Sequence, residues 1–546
     1  MEQNTPIEAF VFHAHAHADK TFLIQPKGDE VITITYAEAL DIVTRLATWL
    51  ERYPINSNIG ILSLNCMHWF ITDLAIMMAG HVSVPIYPTA STTTINQILE
   101  HSECKCLFLG KMPEDTPNIK IVDSQLEIVS MFTKRDQHFD WDELIATDPM
   151  PEIPPMPSLD QLATIVYTSG TTGMPKGVMI DYRALKAAGD VLMDYIQITK
   201  HDRFFSYLPL AHVAERTAVE MASIYAGGQV SFVNSLDTFN DDLVNAKPTV
   251  FFGVPRIWIK FQQAIESKIP SAVLSTILSI PFIGNAFAKK LRQKLGLDQV
   301  RFAVSGAAAI PIELLKWYER IGVNICEAYG MSESLGSCTF NHPDFRQIGS
   351  VGKPVPGTEV EIMENGEVAY RSPSLMQGYY KEPALTEQTI KDGLLLTGDI
   401  GHLDEDGYLW ITGRVKDIFK TEKGKYIAPS PIESELIPRS GFEQLCVMGA
   451  NLTQPVVLSP MPEKPSEAEF QELANKLEAV LEELNSRLTA NERISHWFLV
   501  AEDWTIENNL ITPTLKLRRQ EIESLYADSV RKQTHEPAKV QWLKIT

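Results

Sequence analysis

Between Thr168 and Val178 the chain reads TSGTTGMPKGV. Ser169, Thr171 and Thr172 offer hydroxyls, and Lys176 adds a cation. Gly170, Gly173 and Gly177 let a ligand approach the backbone closely and tolerate a positive φ. Consecutive N–H groups in such a turn form a concave anion nest. The segment is therefore suited to a polyphosphate. It is not a Walker A loop, which needs Gly before the lysine and Ser or Thr after it. Here Pro175 and Gly177 flank Lys176. Taken alone, the stretch reads equally well as a flexible Gly/Thr turn, because short glycine motifs recur by chance.

The elements that must position this loop are a strand before it, Ala163–Tyr167, and an apolar run resuming at Val178. That resumption predicts a hairpin rather than a helix after the loop. Upstream, Ser57–Leu64 reads as a buried strand, Trp69–Ala79 as a helix and His81–Tyr87 as the next strand. Cys106–Leu109 and Ile119–Val122 continue the rhythm. Strands alternating with helices predict a parallel sheet covered on both faces. The run DPMPEIPPMP, Asp148–Pro157, is a connector, since its prolines lack N–H donors. After Arg414 the character changes to charged, hairpin-like segments and one amphipathic helix. Ser466 and Glu469 form a capping box for that helix. Phe470, Leu473, Leu477, Val480, Leu481, Leu484 and Leu488 follow at helical spacing, a core-packing stripe. The expected fold class is α/β, with a large body over residues 1–413 and a small α+β unit over 414–546. No repeat at solenoid spacing occurs.

A chain of 546 residues exceeds what one core supports, so at least two domains are expected. Its composition, 45% hydrophobic and 21% charged, is that of an ordinary globular protein. The formal net charge of -21 repels phosphate backbones and argues against a nucleic-acid partner. Any anionic ligand must therefore find a local positive patch. The six cysteines form no CxxC pair and no zinc-finger spacing, so they read as buried or idle thiols of a reducing compartment. The opening MEQNTPIEAF has no basic or apolar region of a secretory signal. Trp69–Ile86 is interrupted by Asp73 and His81, and Ile269–Ala288 by two prolines, so neither is a membrane span. A cytoplasmic location is expected. One stretch keeps two readings open. Leu274, Ile277, Leu278, Ile280, Phe282, Ile283 and Phe287 precede Lys289, Lys290, Arg292 and Lys294. They could form a packed hairpin with a solvated basic end, or a peripheral contact with the inner face of a membrane.

YTSGTTGMPKGV does not stand alone. YLPLAHVAERT (Tyr207–Thr217), VSGAAAIP (Val304–Pro311) and EAYGMSES (Glu327–Ser334) follow it in order. LTGDIGHLDEDGYL (Leu396–Leu409), GRVKDIFKTEKGKYIAP (Gly413–Pro429) and LITPTLKLRR (Leu510–Arg519) complete the series. Together these resemble the signature set of the adenylate-forming superfamily: acyl-CoA synthetases, peptide-synthetase adenylation domains and beetle luciferases. LPLAHVAER, VPRIW (Val254–Trp258), GSVGKPVPG (Gly349–Gly357), GKYIAP and ITPTLK resemble the long-chain fatty acyl-CoA synthetase branch.

The resemblance implies a large adenylating domain with a mobile C-terminal lid, and a fatty acid, ATP, Mg²⁺ and coenzyme A as reactants and cofactor. In such a reaction a carboxylate attacks the α-phosphate of ATP, so two anions must meet among cations and oriented donors. The implied roles run as follows. Thr168, Ser169, Gly170, Thr171, Thr172, Gly173 and Lys176 would close over the β- and γ-phosphates. Ser332 and Glu333 would hold the α-phosphate and Mg²⁺, with Thr172 a second metal contact. Tyr329 and Gly330, with Gly306, Ala307 and Ala308, would line the adenine slot. Asp399 would accept from the ribose hydroxyls, and Arg414 would contact ribose or phosphate. Lys516 would bridge the carboxylate and the α-phosphate. His212 would gate the acyl or thiol path, or else be a core histidine. Lys416 would be the hinge about which the lid turns, bringing Lys420, Lys425 and Tyr426 inward for thioester formation.

Departures from the family pattern are few. Asn509 stands where Gly is usual before ITPT, and Asn tolerates the left-handed conformation best after Gly. Ser372 replaces the Gly of RGP. Two other functions stay open: a ligase loading a carrier protein instead of coenzyme A, and an inactive acyl- or nucleotide-binding relative. The latter would be expected to lack a charge at Lys176, Glu333, Asp399, Arg414 or Lys516, and all five are present.

Overall fold

The computed structural model describes residues 4–28, 30–113, 119–132, 138–168, 174–512 and 516–545. The chain folds as two compact units. One comprises Met1–Ala308, Glu313–Val360 and Tyr370–Leu395; the other comprises Ala309–Ile312, Glu361–Ala369 and Leu396–Thr546.

The first unit is built on an eight-stranded sheet. In spatial order its strands are Gly378–Tyr379, Lys176–Asp181, Leu162–Thr168, Val82–Ile86, Asn58–Leu62, Cys106–Leu109, Glu127–Ser130 and Phe139–Asp140. From Leu162–Thr168 to Phe139–Asp140 every pairing is parallel. The parallel strands read as continuous apolar runs because both faces are covered, as in CLFL. The helix Met67–Met78 is buried nearly all round and lies in the largest core with Trp69, Phe70 and Leu74. A four-stranded sheet and a five-stranded sheet complete the unit. In the latter, Val250–Gly253, Phe302–Ser305 and Ile325–Tyr329 run parallel.

The expected strand Ile119–Val122 does not form. The next strand after Cys106–Leu109 is Glu127–Ser130. The backbone at 119–122 is held instead by a helix side chain: Asn96 donates to the Lys120 carbonyl at 3.0 Å and accepts from Val122 N–H at 2.8 Å. All six cysteines are buried free thiols. Among the described residues no helix is long and apolar enough to cross a membrane.

The second unit carries the sheet Cys446–Met448, Val456–Pro460, His496–Val500 and Val540–Trp542. Alternate residues serve two cores. Val447, Val457, Trp497 and Leu499 pack with Leu477, Leu481 and Leu484 of the helix Glu467–Asn485. Cys446, Met448, Phe498 and Val500 pack with Ile522, Tyr526 and Val530 of the helix Arg519–Gln533. Ser466 caps the first of these helices with Glu469 as a reciprocal capping box. Arg519, which local charge alone would leave on the surface, is buried. It donates to both carboxylate oxygens of Glu433, at 2.7 and 2.8 Å, and to the Val447 carbonyl at 2.6 Å.

Candidate active site

The strands Leu162–Thr168 and Lys176–Asp181 form an antiparallel hairpin with Thr168 opposite Lys176. The pair closes the neck of the glycine-rich loop; Ser169, Gly170, Thr171, Thr172 and Gly173 lie outside the described residues. The neck has no room for a larger residue at Gly177, where a Cβ would stand 2.8 Å from Ile165 Cγ2. The short strand Gly378–Tyr379 adds to the hairpin with Tyr379 opposite Val178. That register delivers Tyr379 to Lys176, whose Nζ lies 5.6 Å from the ring centre, within cation–π range. The same tyrosine's hydroxyl donates to Glu333 Oε1 at 2.6 Å. Burial first, and then the Glu333 charge, push the phenol's pKa well up, so it stays a proton donor. Lys176 and Glu333 are thus joined through one side chain that no sequence motif singled out.

Glu333 sits in the 3-10 turn Ser332–Ser334. Its carbonyl accepts from Met376 N–H at 2.8 Å, and the Ser334 hydroxyl bonds the Tyr370 hydroxyl at 2.7 Å. The turn is therefore pinned on both sides of the carboxylate. A carboxylate can accept more than the one hydrogen bond from Tyr379 and is a hard oxygen donor. It fits a Mg²⁺ ion. Tyr329 ends the strand Ile325–Tyr329, and Gly306 follows the parallel strand Phe302–Ser305. Gly306, Ala307, Ala308, Tyr329 and Gly330 therefore gather at the carboxyl ends of parallel strands, where open α/β sheets bind ligands. GAAA does not start a helix. Ala307 has φ +66°, costly for a residue with a Cβ, and the next helix begins at Ile312. Gly330 must be glycine, since a Cβ would fall 2.3 Å from the Gly336 backbone.

His212 caps the short helix Val213–Glu215, its Nδ1 accepting from Ala214 N–H at 3.1 Å. Beside it, Glu215 is fully buried and accepts from Tyr207 N–H at 3.0 Å and from Asn65 at 3.3 Å. Burial pushes its carboxyl up to about 8. One residue on, the Arg216 guanidinium binds Asp73 at 2.6 Å, Glu220 at 3.2 Å and the Thr164 hydroxyl at 2.6 Å. Burial opposes its charge, but Asp73 and Glu220 hold it ionised. Glu220, buried and facing Asp73, is pushed well up. Arg216 so ties the helix Met67–Met78 and the strand leading to the glycine-rich segment to the motif segment. None of Glu215, Arg216, Asp73 and Glu220 was assigned a role from the sequence.

The raised Glu215 pKa has a sign. Between about pH 4.5 and 8 the unfolded chain ionises this group while the folded chain keeps it protonated. Its contribution is therefore fully present below the ordinary carboxylate range and is lost as pH rises toward 8. Glu215→Gln keeps an accepting oxygen and removes the titration. Its thermal midpoint relative to wild type should rise steadily from pH 5 to pH 8, by an amount on the order of a few kcal/mol of stability. Parallel pH profiles would show that Glu215 titrates like an exposed acid.

In the second unit Asp399 and Arg414 face each other across the hairpin Leu394–Leu403 and Leu409–Arg414. Arg414 Nε donates to Asp399 Oδ1 at 2.7 Å. Asp399 is buried, and its own N–H donates to the Thr397 hydroxyl at 3.0 Å. Exposed Lys416 follows in the turn after Val415, whose N–H donates to the Gly398 carbonyl at 2.8 Å. Lys420 stacks over Tyr426 at 5.6 Å. Lys516 is exposed on a tight reversal: its carbonyl accepts from Thr512 N–H at 2.8 Å, and its N–H donates to the Thr512 hydroxyl at 3.0 Å. Asn509 takes φ +64°, the left-handed conformation expected of it.

Comparisons with known proteins agree along the chain. The sequence family described as "AMP-binding enzyme" matches residues 10–380, and "AMP-binding enzyme C-terminal domain" matches residues 416–536. The long-chain-fatty-acid–CoA ligase FadD15 of Mycobacterium tuberculosis is 29% identical, over 96% of this chain and 96% of its own length. Fatty acyl-CoA synthetase B of Dictyostelium discoideum is 28% identical, over 91% of this chain and 84% of its own length. The putative fatty-acid–CoA ligase fadD11 of Mycobacterium tuberculosis is 33% identical, over 70% of this chain and 76% of its own length. Among solved structures, the anthranilate CoA ligase AuaEII with anthranoyl-AMP superposes with a TM-score of 0.78 at 20% identity, covering 96% of this chain and 98% of that one. The A domain of the carboxylic acid reductase of Segniliparus rugosus, with AMP and a carboxylic acid, gives 0.78 at 21%, covering 97% of this chain and 94% of that one. At these identities the structures establish a shared fold.

Proposed function

The chain belongs to the family of AMP-binding enzymes, and from that membership we propose that it is an ATP-dependent fatty acid–coenzyme A ligase acting on long-chain acids. A carboxylate oxygen attacks the α-phosphorus of ATP, pyrophosphate leaves, and acyl-AMP forms. The sulfur of coenzyme A then attacks the acyl carbon, the C–O bond to phosphate breaks, and AMP leaves with the thiol's proton lost to solvent. The observation that carries this reading is Glu333 held beside Lys176 through Tyr379, at the neck of a glycine-rich hairpin. Lys176 would attract the outer phosphates. Glu333 would hold Mg²⁺, which when bound neutralises phosphate charge as pyrophosphate departs. Gly306, Ala307, Ala308, Tyr329 and Gly330 would receive the adenine, and Asp399 and Arg414 the ribose. The preference for long chains is supported by the names of relatives that span nearly the whole chain.

An ATP–pyrophosphate exchange screen over acids from acetate to oleate, repeated with coenzyme A, tests the reading. Exchange should depend on Mg²⁺ and on acid, be strongest with long chains, and yield AMP and a thioester once coenzyme A is present. ADP as the stoichiometric product would overturn it. Exchange with no thioester until a carrier protein is supplied would instead support a carrier-loading ligase.

A further inference from the structure

Tyr379 does more to Glu333 than neighbour it. Its hydroxyl takes one particular oxygen, Oε1, at 2.6 Å, and Glu333 is only 7% exposed. Neither side chain is free to drift from the other. Tyr379 is paired with Val178 across the hairpin edge, and its own N–H donates to the Thr386 hydroxyl at 2.9 Å. The next residue, Tyr380, donates its N–H to the Gly177 carbonyl at 2.8 Å. The chain reaches Tyr379 through Gly378, which has φ +148° and where a Cβ would stand 2.8 Å from Thr386 Cγ2. Only glycine suits that approach. On the carboxylate's side, Met376 N–H holds the Glu333 carbonyl at 2.8 Å. Met376 and Tyr379 are three residues apart. One short segment therefore fixes both the backbone of Glu333 and one of its carboxylate oxygens.

The consequence concerns how many oxygens Glu333 can give to a cation. A carboxylate has two. With Oε1 held by the phenol, a cation at Glu333 is offered Oε2. Mg²⁺ demands near-octahedral geometry with bonds of about 2.0–2.1 Å and keeps several waters, so one oxygen from a carboxylate suffices. Ca²⁺ gathers about 6–8 oxygens at roughly 2.3–2.6 Å and takes carboxylates through one oxygen or both. The Tyr379 hydrogen bond thus withholds nothing that Mg²⁺ would use. It denies Ca²⁺ a second oxygen that the larger ion can use.

We propose that Tyr379 is a specificity-determining residue: by holding Oε1 it limits Glu333 to one metal–oxygen bond, and so selects the magnesium complex of ATP over the calcium complex. The proposal rests on the ligase reading, in which Glu333 holds Mg²⁺. It adds which cation the site disfavours and which side chain disfavours it.

The test is calorimetric titration of the full chain with ATP in saturating Mg²⁺ or saturating Ca²⁺. Acid and coenzyme A are withheld, so binding is read without turnover. The wild type should bind the magnesium complex more tightly than the calcium complex. Tyr379→Phe keeps the ring near Lys176 and removes the hydroxyl alone. It should narrow the ratio of the two dissociation constants by about fivefold, the size of one net hydrogen bond, chiefly through tighter binding of the calcium complex. A hydroxyl that served only the fold would weaken both complexes alike and leave the ratio unchanged, which overturns the proposal. A wild type that binds both complexes equally overturns it as well, whatever the variant does, and leaves the ligase reading standing. Absence of ATP binding with either metal overturns that reading and the proposal together.

Discussion

Lys516→Ala is expected to slow acid-dependent adenylation by about 10²–10³-fold, the usual loss when one oriented donor to developing negative charge is removed. It should leave the conversion of supplied acyl-adenylate and coenzyme A to thioester near wild type. The reasoning is electrostatic. The first half-reaction brings a carboxylate onto an already anionic phosphate, so a cation between them acts most strongly in that transition state. In the second half-reaction the carboxylate charge is already gone. The reversal that presents Lys516 is held by the hydrogen bonds of Thr512, and its flanks Leu510 and Ile511 are buried. Truncating an exposed side chain there should not disturb the unit. Single-turnover rates of each half-step decide the matter. Equal slowing of both would make Lys516 a structural residue.

The opposite pattern is expected from Lys416→Pro. Proline fixes φ near about -65° and removes an N–H, and it restricts the residue before it as well. If a few backbone rotations at residue 416 carry the switch between half-reactions, adenylation should persist while thioester formation falls. The loss should be on the order of 10²-fold, corresponding to a proline penalty of about 3 kcal/mol imposed on one of two conformations. Lys416→Ala, which keeps rotational freedom, should retain both steps. Thioester formation in Lys416→Pro at the wild-type rate would place the pivot elsewhere.

Much of the fold was legible because it depends on local patterns. The apolar run after Gly177 predicted a hairpin rather than a helix, and the antiparallel pair Leu162–Thr168 and Lys176–Asp181 is that hairpin. The capping box at Ser466 and Asn509 in the left-handed region are equally local. What escaped depends on distant partners. Tyr379 carries no motif, and its role exists only because the edge strand Gly378–Tyr379 sets it between Lys176 and Glu333. Arg519 reads as one of several surface cations until the fold brings Glu433 to it. Glu215 and Glu220 would be solvated acids on an exposed helix, yet here both are buried, and burial pushes both carboxyls up. Ile119–Val122 has the apolar character of a strand. Nothing local reveals that Asn96 would satisfy that backbone instead of a neighbouring strand.

In the proposed reaction the acid is activated by bonding one of its own oxygens to the α-phosphorus. The most direct measurement is the fate of ¹⁸O in a long-chain acid labelled in both carboxylate oxygens, converted to thioester with ATP and coenzyme A. Attack at the α-phosphorus followed by cleavage of the acyl C–O bond leaves one labelled oxygen in each AMP formed and none in pyrophosphate. Label in pyrophosphate or orthophosphate, or AMP without label, would contradict the account.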